Sequence, residues 1–323
     1  MKSAVVNPRS LAPANRKMPW GTYLRRYGTL YLLLLLPLVY VALFKYTPMI
    51  YILGAFKQNN IFKPPWQLKW AKNSGFEWFI KAFNDRGFRD ALRNTLTLNL
   101  LDLVIGFPAP IILALLLNEL AFKRFKKVTQ TVLYLPHFLS WIIISGLALR
   151  LLADNDGLIN IVYKSMTGKP DAVLPFLSAP NWWVGTYIVL GIWKEAGWGT
   201  IIYLAALTAI SPELYEAAAV DGANRWHRIW HITLPGIRST IIVLLIMRLG
   251  HILGSEFDRP LALSNKLVTS VSSVISIFVY QRGIKGNQFA LSIAVGLFQS
   301  VVGVLFLLGA NALAKQFGER GIW

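Results

Sequence analysis

His227 and His231 stand four residues apart, a spacing that puts two imidazoles on one face of a helix, as in zinc peptidases. The glutamate that would follow the first histidine is missing and no third ligand is evident, so no metal site is expected. Cysteine is absent, which excludes disulfides, thiolate metal sites and cysteine nucleophiles. Gly168-Lys169-Pro170 is the nearest approach to a phosphate-binding loop. It lacks the upstream glycine and the following hydroxyl, so the chain is not expected to hydrolyse nucleotides. No nucleophile elbow occurs either, and no catalytic residue is assigned. The chemistry that remains lies in polar residues embedded in apolar runs: Asp102, Lys194, Glu195, Arg248, His251 and Gln299. A charge near a bilayer centre costs ~2.5–3.5 kcal/mol, so such groups face protein, water or a solute.

The elements that position these residues are membrane spans. The chain has 323 residues, 55% of them hydrophobic, with several apolar runs near the ~20 residues needed to cross a bilayer. The fold class expected is an all-α membrane protein. Its formal charge of +18 is read as topology-setting and lipid-facing, not as a nucleic-acid surface. Spans are expected at about 27–44, 95–117, 132–152, 183–209, 236–255 and 289–312, forming one permease domain over 27–312. Pro37 is expected to kink the first. Residues 1–26 read as a basic, mostly disordered cytoplasmic tail and 313–323 as a short basic tail. Lys123, Arg124, Lys126 and Lys127 argue that residues 119–130 are a cytoplasmic loop, whereas residues 153–182 and the long 45–90 loop suit the outside. With the N-terminus inside, alternation puts the stretch 211–235 in the cytoplasm.

That stretch is amphipathic. Ser211 can cap a helix, Pro212 suits its first position, and Gly222 sits where the chain must stop and turn. Asn224 can cap a second helix, on which Trp226, Ile229 and Trp230 share a face, and Pro235 is expected to close the unit. Glu216-Ala217-Ala218, Gly222 and Ile232-Thr233-Leu234-Pro235, at this spacing, resemble the EAA motif of permease subunits in binding-protein-dependent ABC importers. Lys45-Tyr46-Thr47-Pro48-Met49, the run Gly106 to Leu115, Tyr134-Leu135-Pro136-His137-Phe138 and the ending Gly318 to Trp323 are similar to the branch that imports oligo- and polysaccharides. Within it, the chain resembles permeases of alginate importers.

The resemblance implies a six-transmembrane-helix permease with a cytoplasmic coupling helix-turn-helix in a bacterial inner membrane. It implies a second homologous permease as heterodimer partner, two ATPase subunits that hold ATP and Mg, and an extracytoplasmic solute-binding protein. Glu216, Ala217, Ala218, Gly222, Ile232, Leu234 and Pro235 would then couple to the ATPase, with His227 and His231 at the edge of that surface. Sugars present apolar ring faces and hydroxyls, which suits aromatic platforms beside polar groups. Trp193, Lys194, Trp198, Arg248, His251 and Gln299 are therefore the candidate substrate path, and Lys194 and Arg248 would suit a carboxylate-bearing sugar. Alternatives stay open at several of these positions. Trp182 and Trp183 suit interfacial anchors, Lys194 could pair with an acid, and Trp226 and Trp230 could pack on the permease's own helices. Glu256, Asp258 and Arg259 are expected at the outer mouth. The competing function is an ion-coupled secondary transporter with Asp102, Glu195 and Glu256 as coupling acids.

Overall fold

The computed structural model describes residues 19–254, 256–318 and 321–322. The tail expected over 1–26 lies outside the described residues up to residue 18, as do Glu319, Arg320 and Trp323 of the C-terminal ending. From Trp20 onward that tail is helix, not coil. The described residues form helices and one isolated bridge, Lys57 to Trp70, and divide into two compact units, Met1–Leu53 and Gly54–Trp323.

In the first unit the helix Trp20–Val41 runs through Pro37 without a break and buries none of its residues. The irregularity falls later, as a π-turn at Ala42–Tyr46 just ahead of Pro48. The same arrangement recurs in the second unit. A π-turn at Asp102–Gly106 precedes Pro108, and one at Ile229–Thr233 precedes Pro235. In each case the residue before the proline donates its amide five residues back: Thr47 to Ala42, Phe107 to Asp102, Leu234 to Ile229. Proline has no N–H to give and its ring crowds the preceding turn, so one widened turn absorbs both defects and the helix continues. Pro235 therefore does not close the stretch 211–235. Arg225–Gly250 is one continuous helical run of 26 residues.

Among the described residues, four helices are individually long and apolar enough to cross a membrane: Trp20–Phe56, Arg86–Asn118, Arg225–Gly250 and Phe289–Gln316. Pro180–Thr208 has 29 residues, about 44 Å at 1.5 Å each, although Lys194, Glu195 and its glycines dilute its hydropathy. The expected third span is broken. Lys123–Phe138 and Trp141–Leu152 meet at 103°, where Leu139 is extended and Ser140 caps the second piece through Ile143. The basic segment expected as a loop over 119–130 is helical from Lys123, because Phe125, Val128 and Val132 give it an apolar stripe at helical spacing.

Small residues let the helices approach. A Cβ on Gly197 would collide with the Leu133 carbonyl, and one on Gly303 with the Gly250 carbonyl. After Gly250 the chain unwinds, so the span expected to reach residue 255 ends five residues early. Three freed carbonyls are taken up by side chains from two other helices. Asn99 Nδ2 donates to Ile252 O at 2.7 Å and Gly254 O at 2.9 Å, and Gln299 Nε2 donates to Leu253 O at 2.6 Å. Irregular backbone inside a membrane bundle persists only when its polar groups are satisfied in this way.

Candidate functional site

Two sites emerge, one on a contiguous surface stretch and one assembled from distant residues. The first spans residues 211–235. Ser211 Oγ accepts from Glu213 N at 3.3 Å and starts the helix Pro212–Val220. The helix ends in a Schellman turn: Ala223 N donates to Ala218 O at 2.9 Å and Gly222 N to Ala219 O at 3.2 Å, with Gly222 at φ +77°. Asn224 Oδ1 then accepts from His227 N at 2.9 Å and starts the second helix. Tyr215 and Thr233 join the two arms through their hydroxyls at 3.1 Å. The unit is rigidly closed from within, yet its outer face is bare. Trp226 is 70% and Trp230 63% exposed, so neither packs into the body of the chain, while Ile229 does so partly. Glu216 is exposed as well. His227 and His231 stack on each other, with their Nδ1 atoms on Asn224 Oδ1 and His227 O. Among the described residues no group of three His, Cys, Asp or Glu gathers to hold a metal.

The second site is a charge cluster within the bundle. Asp102, in the π-turn of its helix, pairs through Oδ2 with Arg248 and lies 3.7 Å through Oδ1 from Arg259. Arg259, expected at an outer mouth, is instead buried. Its guanidinium donates to Tyr187 O at 2.6 Å, lies 3.8 Å from the centre of the Tyr187 ring, and fills the space a Cβ on Gly191 would need. Beside this, Lys194 donates to the His137 carbonyl at 2.6 Å and sits 3.2 Å from Glu195 Oε1. Glu195 Oε2 meets His137 Nδ1 at 2.9 Å, and the His137 ring stacks on Trp198 at 4.6 Å. The break in the third span is what delivers His137 here. Two polar cavities, about 280 and 390 Å³, adjoin the cluster, and Asp102, Arg248, Glu256 and Arg259 line both.

The cavities sort the sequence-derived candidates. Trp198 and Arg248 line the first polar cavity, and Arg248 and His251 the second. Trp193 does neither. With Asn181 and Trp182 it lines a separate cavity of about 690 Å³ whose walls are almost wholly aliphatic and aromatic. Trp183 is neither anchor nor platform, being buried against Tyr187 and donating to Leu263 O at 2.9 Å. Lys194 is committed to His137 and Glu195, and Gln299 to the unwound segment. The sequence alone assigns no role of its own to His137 and does not reveal that Arg259 is buried against Tyr187. A signal for Arg259 exists, since the apolar run Pro260 to Leu263 follows it directly, and a cation drawn into apolar surroundings needs a buried partner.

A helical bundle with an unwound polar centre and a bare helix-turn-helix is the architecture of a membrane permease. Residues 106–318 match the family described as the inner membrane component of binding-protein-dependent transport systems, and the chain belongs to that family. It is 44% identical over 310 residues to protein LplB of Bacillus subtilis (strain 168), covering 96% of each chain. It is 45% identical over 294 residues to the polygalacturonan/rhamnogalacturonan transport system permease protein YteP of the same organism, covering 91% of this chain and 90% of that one. A chain of a bacterial alginate ABC transporter, solved in complex with an alginate pentasaccharide-bound periplasmic protein, matches with a TM-score of 0.83 at 38% identity. That match covers 93% of this chain and 99% of the other. The chain is a multi-pass inner-membrane permease of an ABC importer that works with a binding protein, and its family gives the ion-coupled alternative no support.

Proposed function

We propose that this chain and a second homologous permease enclose the path by which a carboxylate-bearing oligo- or polysaccharide enters the cytoplasm. Two ATPase subunits, holding ATP and Mg, drive it. The observation that carries the cargo reading is Arg248: its side chain is 52% exposed and faces both polar cavities, while the neighbouring cations Lys194 and Arg259 are buried and engaged. A planar guanidinium is the side chain best matched to a carboxylate. Relatives named for polygalacturonan and alginate, both acidic, agree with that chemistry. Trp198, backed by His137, offers a flat face for a sugar ring.

The coupling residues would be Glu216, Ala217, Ala218 and Gly222, with Trp226 and Trp230 supplying apolar contact to the ATPase. The continuous helix Arg225–Gly250 includes Ile232, Leu234 and Pro235 and runs directly to Arg248, so a push on the coupling turn reaches the cluster without a hinge. The N-terminus would lie in the cytoplasm. The cysteine-free chain lets single cysteines introduced near residues 10 and 165 report sidedness by labelling.

The test is uptake into proteoliposomes containing both permeases and the ATPase, with the binding protein outside. Uptake of a uronate oligosaccharide that needs ATP and outpaces a neutral oligosaccharide is expected. Equal rates would remove the acidic cargo, and uptake independent of ATP would remove the mechanism. Glu216→Lys should uncouple ATP hydrolysis from uptake in the same assay.

A further inference from the structure

Asp102 is shared unequally between two arginines. Oδ2 makes a direct pair with Arg248, whose side chain is half exposed to the cavities. Oδ1 stands 3.7 Å from Nη1 of Arg259, whose side chain is 6% exposed. That distance is too long for a hydrogen bond, and Arg259 Nε is buried with no acceptor at all. Arg259 therefore holds a positive charge out of water with its carboxylate contact incomplete, although its other nitrogen is secured by Tyr187 O. A buried guanidinium left in that condition favours any rearrangement that brings a carboxylate closer.

We propose that Arg248 is a binding subsite for a carboxylate of the cargo, and that Asp102 is its resident counter-ion, handed to Arg259 when cargo arrives. Before cargo arrives Asp102 neutralises Arg248 at the cavity wall. A cargo carboxylate takes the guanidinium edge of Arg248, and Asp102 swings by roughly one ångström onto Arg259, the scale of a 3.7 Å gap closing to a hydrogen bond. One carboxylate replaces another at Arg248 and the displaced one completes Arg259, so no charge is left unpaired at either end. A neutral sugar cannot carry out the exchange, because releasing Asp102 would leave Arg248 without its direct ion-pair partner. Arg259 is thus a positioning residue: it touches no cargo but makes the release of Asp102 affordable.

The inference rests on the acidic-cargo reading and is tested apart from it. The assembled complex in nanodiscs, without binding protein, is titrated with a fluorescent tri-uronate and with the same trisaccharide after reduction of its carboxyls to alcohols. Arg248→Gln should weaken the tri-uronate by about 10- to 100-fold more than it weakens the reduced sugar, the scale of one charge-assisted pair. Asp102→Asn should bind the tri-uronate about threefold or more tighter, because the competing carboxylate is gone, a gain that misfolding does not mimic. Equal affinity of wild type and Arg248→Gln for the tri-uronate overturns the subsite. Unchanged or weaker binding by an assembled Asp102→Asn complex overturns the exchange. Should Asp102→Asn not assemble, the acidic-to-reduced affinity ratio of Arg248→Gln decides the subsite, and Asp102→Glu, whose longer arm holds Arg248 harder, should weaken the tri-uronate. If the wild type prefers neither sugar, the cargo reading itself fails.

Discussion

The coupling turn and the charge cluster solve opposite problems. The turn is built from one run of residues, satisfies its backbone internally and leaves its tryptophans in the open. The cluster draws residues 102, 137, 194, 195, 248 and 259 from five helices, hides most of its charge and leaves one arginine facing space. The first is finished locally; the second is finished only by the fold. Mutations should separate them. Changes in the cluster should cost folding, whereas changes on the turn's outer face should cost association alone.

The largest effect is expected at Arg259. Replacement by alanine removes the donor to Tyr187 O and the contact with the Tyr187 ring and opens a hole beside Gly191, for a loss on the order of 2–5 kcal/mol. Thermal unfolding of the detergent-purified chain, followed by light scattering or tryptophan emission, should record it. Asp102→Ala combined with Arg259→Ala should cost less than the sum of the singles, since both ends of one contact are removed together. Additive losses would mean that the 3.7 Å contact carries no coupling and that the cluster is a set of independent charges.

On the other side of the contrast, Trp226→Ala with Trp230→Ala should leave the unfolding temperature almost unchanged, because both rings are already in solvent. Capture of the ATPase subunit should weaken by about 2 kcal/mol, roughly 30-fold, as exposed tryptophans at a docking surface usually do. A fall in stability with intact ATPase capture would reverse the assignment of the two regions.

The contrast also governs how far the amino-acid sequence alone reveals each region. Every device in the turn is a short-range one, so Ser211, Gly222 and Asn224 declare their roles by type and spacing. The spans are legible as apolar runs, but their ends are not. Proline suggests a kink at Pro37 and a stop at Pro235, whereas a π-turn carries the helix past Pro235 and no break occurs at Pro37. Whether a helix absorbs a proline depends on what neighbouring helices allow, which spacing does not encode. The cluster is legible only as a set of polar residues in apolar context. That Lys194 is consumed by a carbonyl from a broken helix, or that Gly191 makes room for Arg259, depends on contacts 57 and 68 positions apart in sequence.

The smallest effect expected is at Gly222, and it asks why the residue is glycine. A Cβ there would meet nothing within 4 Å, so space is not the reason. The reason is φ +77°, which costs an ordinary side chain roughly 1–2 kcal/mol and asparagine less. Gly222→Ala should therefore loosen the Schellman turn by about 1 kcal/mol, and Gly222→Asn by visibly less. Amide exchange at Gly222 and Ala223, whose N–H groups close the turn onto Ala219 and Ala218, measures this directly. ATP-coupled uptake should follow the same order: glycine, then asparagine, then alanine. If asparagine and alanine uncouple transport equally while exchange still ranks them apart, the backbone angle is not what the ATPase reads. The empty space around Gly222 would then be filled by the partner, and the turn would resemble the cluster in being completed only on assembly.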